Sequence, residues 1–192
     1  MSKAIHITGD ALTVLQQLRD AIRLGEAIEK MRIGENIVLV FTDHEKDRTE
    51  ILFSHNIVTD AGDLYYAQHG ANQTPNPNFA VTGGMRLGTG AGTPDKSWTD
   101  CDTFFGVGKV ISATYPKTND GDPSNTGADV DIVSYRHEWS TTENNGSAMT
   151  NGAIVDDIVA PSTALCAFLF GPRTKANTET LSIFTNHRMN GV

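Results

Sequence analysis

Met85-Arg-Leu-Gly-Thr-Gly-Ala-Gly-Thr-Pro-Asp-Lys-Ser97 places glycine at the alternate positions 88, 90 and 92. Glycine at this density means backbone angles that other residues avoid, or close approach by another part of the chain. Two roles compete for such a stretch, a phosphate cradle and a tight turn. A dinucleotide loop needs a strand before it, a helix after it and a parallel unit around it. Here Pro94 and polar residues follow, and no crossover helix is legible. Gly106-Val-Gly-Lys109 has the shape of the end of a phosphate loop. Val110, however, stands where Ser or Thr is required, and Thr103 stands where the first glycine belongs. Nucleotide binding is therefore set aside, and Gly88, Gly90 and Gly92 are read as a structural turn.

Metal and hydrolytic chemistry meet similar obstacles. Asp120, Asp122, Ser124, Thr126 and Asp131 fall at positions one, three, five, seven and twelve of a calcium-loop register. Asn125 takes the place of the turning glycine, the last ligand is Asp rather than Glu, and no helices flank the segment. A solvated loop without metal is the expectation. His44, Glu45 and Asp47 match no standard ligand set and read as a hairpin tip. His6, His55, His69, His137 and His187 are scattered, and Cys101 and Cys166 form no paired-ligand motif. No serine lies in a Gly-x-Ser-x-Gly elbow, although triads assemble in space and spacing alone does not exclude one. The expectation is a non-enzymatic protein with no catalytic residue, no metal and no cofactor. Trp98, Trp139, Tyr115 and Tyr135 are the aromatic residues a carbohydrate-binding module would use as stacking platforms. For both tryptophans, core or interface packing is the expected role.

These residues must be positioned by a mainly β framework. Asp10 caps a predicted helix over residues 11 to 32, with Ala11, Val14, Leu15, Leu18, Ala21, Ile22, Ile28 and Met31 on one stripe. The stripe covers its own sheet or docks on a neighbour. Ile37 to Thr42 and Thr49 to Ser54 flank the charged turn Asp43 to Arg48, which is a hairpin pattern. Thr59 or Asp60 caps a short helix expected to bury Leu64, Tyr65 and Ala67 or Tyr66. Gln68 to Phe79 reads as a polar loop. Val107 to Tyr115, Val130 to Ser140, Ala153 to Val155, Leu165 to Phe170 and Leu181 to His187 read as strands, with a loop over Asn119 to Ala128. About seven strands separated by turn signals fit an antiparallel β-sandwich or jelly-roll-like domain over residues 36 to 192, with residues 1 to 35 as a helical arm.

Composition narrows the partners. A net charge of −8 over 192 residues argues against nucleic acid, because phosphate binding needs concentrated Lys and Arg. It suits solubility and docking onto a basic patch. No apolar run approaches the roughly 20 residues of a membrane span, so no membrane partner is expected. Met1 to Ile7 lacks a signal-peptide core, and the chain is expected to stay in the compartment where it is made.

Three segments in order carry a resemblance: Ile57-Val-Thr-Asp-Ala-Gly62 after a charged hairpin, Leu87 to Ser97, and Thr174-Lys-Ala-Asn-Thr-Glu-Thr-Leu-Ser-Ile-Phe-Thr-Asn-His187. Together, over residues 52 to 187, they resemble small virion structural proteins of tailed bacteriophages. Such proteins carry a His-Asn-(Ile/Leu)-(Ile/Val)-Thr-(Asp/Asn)-Ala-Gly segment, a Leu-Gly-Thr-Gly-x-x-x-Pro segment and a C-terminal Thr-Lys-x-x-x-(Asp/Glu)-Thr-Leu strand. The resemblance implies a non-enzymatic particle component assembled in the host cytoplasm. The expected role is a head decoration (cement) protein that binds across junctions of the major capsid protein and self-associates as a trimer or dimer. A tail or baseplate component of the same particle is the alternative, and a host-surface carbohydrate binder is a second. On this reading Leu15, Leu18, Ile22, Asn76 and Phe79 are the candidate contacts with the shell or with sister subunits.

Overall fold

The structure is a computed structural model that describes residues 5–7, 37–71, 83–118 and 132–188. The predicted N-terminal helix, the stretch containing Asn76 and Phe79, and the acidic loop from Asp120 to Asp131 lie outside the described residues. Among the described residues the chain forms eleven strands and one helix. The strands are β1 (Ile5–Ile7), β2 (Ile37–Asp43), β3 (Arg48–Ser54), β4 (Asn56–Val58), β5 (Gly84–Gly88), β6 (Lys109–Val110), β7 (Lys117–Thr118), β8 (Ile132–Trp139), β9 (Ala148–Val155), β10 (Ala164–Thr174) and β11 (Glu179–Arg188). The helix is α1 (Asp60–Gly70).

Two antiparallel sheets result, one in the order β1-β3-β2-β11-β8-β7 and the other in the order β4-β10-β9-β5-β6. The predicted hairpin is present, with Ile37 opposite Ser54 and Asp43 opposite Arg48. Every residue of β2 is buried, as its unbroken apolar run requires of a strand covered on both faces. Ile37, Leu39 and Phe41 enter the main core, which also takes Met85, Leu87, Ile154 and Phe168 from the other sheet. Val38 and Val40 belong to a second cluster with Ile51 and Phe184. The chain passes from one sheet to the other between β3 and β4, through the single residue His55.

Four expectations are corrected. Leu64 and Ala67 do not face the core; Leu64 is 58% exposed. Helix α1 lies too close to β10 for a large side chain at Gly62, where a Cβ would overlap the Leu165 carbonyl. Tyr65 and Tyr66, three and four residues on, therefore share the covered face, whereas Leu64, two residues on, points away. The helix also extends through Gln68 to Gly70, which composition assigned to a loop.

The run from Val107 to Tyr115 is not one strand; only Lys109 and Val110 pair, with β5. Its backbone groups are used elsewhere. The Val107 amide donates to Asn144 Oδ1 (2.8 Å), the Val107 carbonyl accepts from Trp139 Nε1 (2.9 Å), and the Ser112 amide donates to the Arg136 carbonyl (2.8 Å). The stretch from Gly84 to Gly88, taken from sequence as the lead into a turn, is strand β5, paired with β9 from Gly84–Val155 to Gly88–Asn151.

His137 is fully buried between Tyr135 and Trp139, and neither ring nitrogen has a hydrogen-bond partner among the described residues. Burial pushes its pKa down to about 3. The folded state keeps the ring neutral, while the unfolded chain takes up a proton below its ordinary pKa of 6.5. Stability is therefore intact above pH 6.5 and falls as pH drops toward 3. Between pH 7 and pH 5 the loss from this residue is expected to be about 2 kcal/mol. Urea unfolding of wild type and His137→Leu at both pH values checks this: the pH sensitivity is expected to shrink by that amount in the variant. An unchanged difference would rule out the buried neutral ring as its source.

Candidate functional site

The glycine stretch closes on a carboxylate, and the carboxylate belongs to the chain itself. Asp102 accepts from the Gly92 amide at Oδ2 (2.8 Å) and from the Thr103 hydroxyl at Oδ1 (3.0 Å). Its carbonyl accepts from the Gly90 amide (3.1 Å), and the Thr89 amide donates to the neighbouring Thr103 carbonyl (3.0 Å). A Cβ at Gly90 would overlap the Asp102 carboxylate, and one at Gly92 would sit 2.8 Å from Oδ2. None of Gly88, Gly90 and Gly92 has a positive φ, so glycine is needed here for close approach and not for a left-handed backbone.

Asn151, fully buried on β9, locks this collar to the sheet. Its Oδ1 accepts from the Asp102 amide (2.9 Å); its Nδ2 reaches the Asp102 carbonyl (3.1 Å), the Gly90 carbonyl (3.3 Å) and Thr150 Oγ1 (3.1 Å). Sequence reasoning missed Asn151. Its one signal is an amide-bearing residue followed by glycine inside an apolar run.

The other two segments of the resemblance are also joints. Thr59 caps α1: its hydroxyl accepts from the Gly62 amide (3.0 Å) and donates to the Ala164 carbonyl (2.5 Å), while its own amide donates to the Leu165 carbonyl (3.1 Å). At the corner between β10 and β11, Arg173 pairs with Glu50 (2.8 Å) and Glu179 (2.5 Å) and lies 4.5 Å from the centre of the Phe41 ring. Glu179 also accepts from the Ala176 amide (2.8 Å). Lys175 is fully buried beside it.

An open groove of 580 Å³ crosses β2, β11 and β8 near the hairpin tip. Thr42, His44, Arg136, Glu138, Thr180 and Ser182 are among its walls. Its charges are already paired: Arg136 with Glu138, and Lys109 with Glu143 (2.5 Å). Lowering of the Glu143 pKa by Lys109 and by the Ser140 bonds exceeds the opposing effect of burial. His44 and the Thr180 hydroxyl, 3.1 Å apart, are the nearest thing to a base and nucleophile. The adjacent carboxylate does not orient that ring. Asp43 instead takes Lys46 Nζ (2.8 Å) and the amides of Glu45 and Lys46, and the Lys46 side chain chiefly holds its pKa down at about 2. This closes the hairpin tip, and no group of metal-ligating side chains occurs among the described residues.

The aromatic platforms are largely covered. Trp139 and Tyr135 are buried in the main core. Trp98 packs against the cluster around Cys101 and Ala153, and Tyr115 stacks edge-on with Phe184. Burial pushes the Cys101 thiol up to about 12 and the Cys166 thiol up to about 11, so neither is a ready nucleophile. Exposed apolar area is provided by Leu64, Val107, Val110 and Val159. Comparison with protein families, with curated proteins and with solved structures gives no match for the chain.

Gly90→Val is expected to destabilise the fold by about 3 kcal/mol, because the Asp102 carboxylate cannot yield without breaking its bonds. Gly171→Ala, where a Cβ meets nothing within 4 Å, is the control and is expected to be near neutral. Thermal unfolding of both variants checks this; equal melting temperatures would overturn the close-approach account.

Proposed function

We propose that this chain is a non-enzymatic structural protein of a tailed-phage virion, a head decoration protein that binds across junctions of the major capsid protein. The observation that carries this reading is the use made of the three resemblance segments. The Thr59 cap, the collar around Asp102 and the Arg173–Glu179 ion pair each tie separate parts of the chain together, and of the three segments only Thr180, Leu181 and Ser182 line the groove. A protein whose distinguishing residues serve rigidity suits a load-bearing role. Exposed Leu64, Val107, Val110 and Val159, together with the loop of Asn76 and Phe79, supply contacts to the shell and to sister subunits in a trimer or dimer. Each contact gains about 25 cal/mol per Å² of apolar surface before association costs, and multivalency adds to it.

The finer architecture follows the same reading. The two sheets close as a β-sandwich of jelly-roll type over their common core. Strands β1 and β2 run parallel, separated by β3. The inner face holds the main core, and the outer face carries Val38, Val40, Ile51 and Phe184. Leu15, Leu18 and Ile22 of the predicted arm are read as further contacts with the shell or with sister subunits.

Purified protein is expected to co-sediment with expanded capsids of its own phage and to number hundreds of copies per particle on a calibrated gel, as multivalent cementing implies. Absence from capsids, or recovery only in tail fractions at a few dozen copies, would replace this reading with the tail or baseplate alternative.

A further inference from the structure

Lys175 is a fully buried cation with no carboxylate in ion-pair range among the described residues. Its Nζ reaches three oxygens: Asn145 Oδ1 at 2.6 Å, and the carbonyls of Thr141 and Ala176 at 3.4 Å each. Desolvation lowers its pKa, against the weaker pull of Glu179 and Glu143. An amine that releases its proton in such a place becomes a nucleophile. One electrophile is in contact with it, the side-chain amide of Asn145. That amide is fixed on its other side too, since Nδ2 donates to the Thr141 carbonyl at 2.7 Å. The attacking and departing nitrogens thus share one acceptor oxygen. The lysine has no exposed surface and Asn145 is half-buried, so the attacking amine is held in place against the amide.

We propose that Lys175 and Asn145 are joined by an isopeptide bond that the folded chain forms by itself. Nζ attacks Cγ of Asn145, and one proton passes from Nζ to Nδ2. The tetrahedral carbon collapses, the Cγ–Nδ2 bond breaks, and Nδ2 leaves as ammonia. One C–N bond forms and one breaks, and no oxidant or reductant is consumed. The charges of Glu179 and Glu143 favour the positive charge that develops on Nζ during attack. The bond ties the corner after β10 to the loop between β8 and β9, closing a loop between positions 30 apart in the chain. Its effect resembles that of a disulfide, restricting the unfolded chain. The proposal is independent of the virion reading.

Intact-mass measurement of the full chain is expected to show a deficit of about 17 Da after allowance for N-terminal processing. A tryptic digest is expected to yield one branched peptide joining Asn145 to Lys175, and Lys175→Met is expected to restore the full mass. A wild-type mass with no deficit overturns the proposal. So does a deficit that survives in Lys175→Met or maps to Asn145 alone, as closure of its amide onto the Gly146 nitrogen would give. The wild-type mass and peptide map decide the matter even where the variant does not fold.

Discussion

Asn151 holds the structure at the point where regular pairing gives out. Strand β5 ends at Gly88, and the chain beyond it must turn back without a ladder. A buried side chain with one acceptor and two donors can replace that ladder if all its capacity is used. Asn151 uses it on the Asp102 amide, two carbonyls and a hydroxyl. Asp102, fixed on both sides, then supplies the anion around which the Gly90 and Gly92 backbone wraps. The glycines are a consequence of this arrangement, since any side chain would strike the carboxylate they enclose. A buried amide left half-satisfied would cost on the order of 1–3 kcal/mol, so the collar forms as a unit or not at all.

The margins of the two sheets are closed by the same device, polar groups that reach across. On one side Arg173 of β10 pairs with Glu50 of β3, and the Ser54 hydroxyl donates to the Leu169 carbonyl. On the other, Trp139 of β8 donates to the Val107 carbonyl, and Asn144 takes the amide of Val107 and the carbonyl of Phe105. Gly106, with φ of 74°, lies against that Asn144 side chain and has no alternative residue. Ion pairs with a fifth of their side-chain area exposed add little stability alone. Their value here is geometric, because each sets where one sheet stands relative to the other.

Local pattern is what the sequence displays most openly. The β2–β3 hairpin was legible because two apolar runs flank a charged turn, and the Thr59 cap because Thr-Asp opens a helical stretch. The alternation of β8 was visible, but not that its buried phase holds Tyr135, His137 and Trp139. Strand β5 was hidden: with two glycines and an arginine in five residues it read only as the approach to a turn. Only its partner β9, and the stacking of Arg86 on Phe104 at 3.8 Å, make it a buried strand. Lys175 and Asn151 were hidden for a related reason. A polar residue in or beside an apolar strand looks like an exposed position until its partners, 30 and 49 residues away, are in place.

The inward use of polar groups shapes the outer field. Arg86, Arg136, Lys109, Arg173 and Lys175 are all partly or fully buried and engaged. Among the described residues, Lys46 and Lys96 are ion-paired cations that stay mostly exposed, each beside a carboxylate. Among the described residues the two most exposed large apolar side chains have carboxylates near them in sequence: Leu64 follows Asp60 and the Lys96-paired Asp63, and Val159 follows the half-buried Asp156 and Asp157. An apolar patch rimmed by acid would favour a surface that is apolar at its centre and basic at its edge. The basic rim speeds encounter and loses reach beyond about 8 Å at physiological ionic strength, while the apolar centre is indifferent to salt of that strength. A contact made through such a patch would divide recognition and retention between two physical terms.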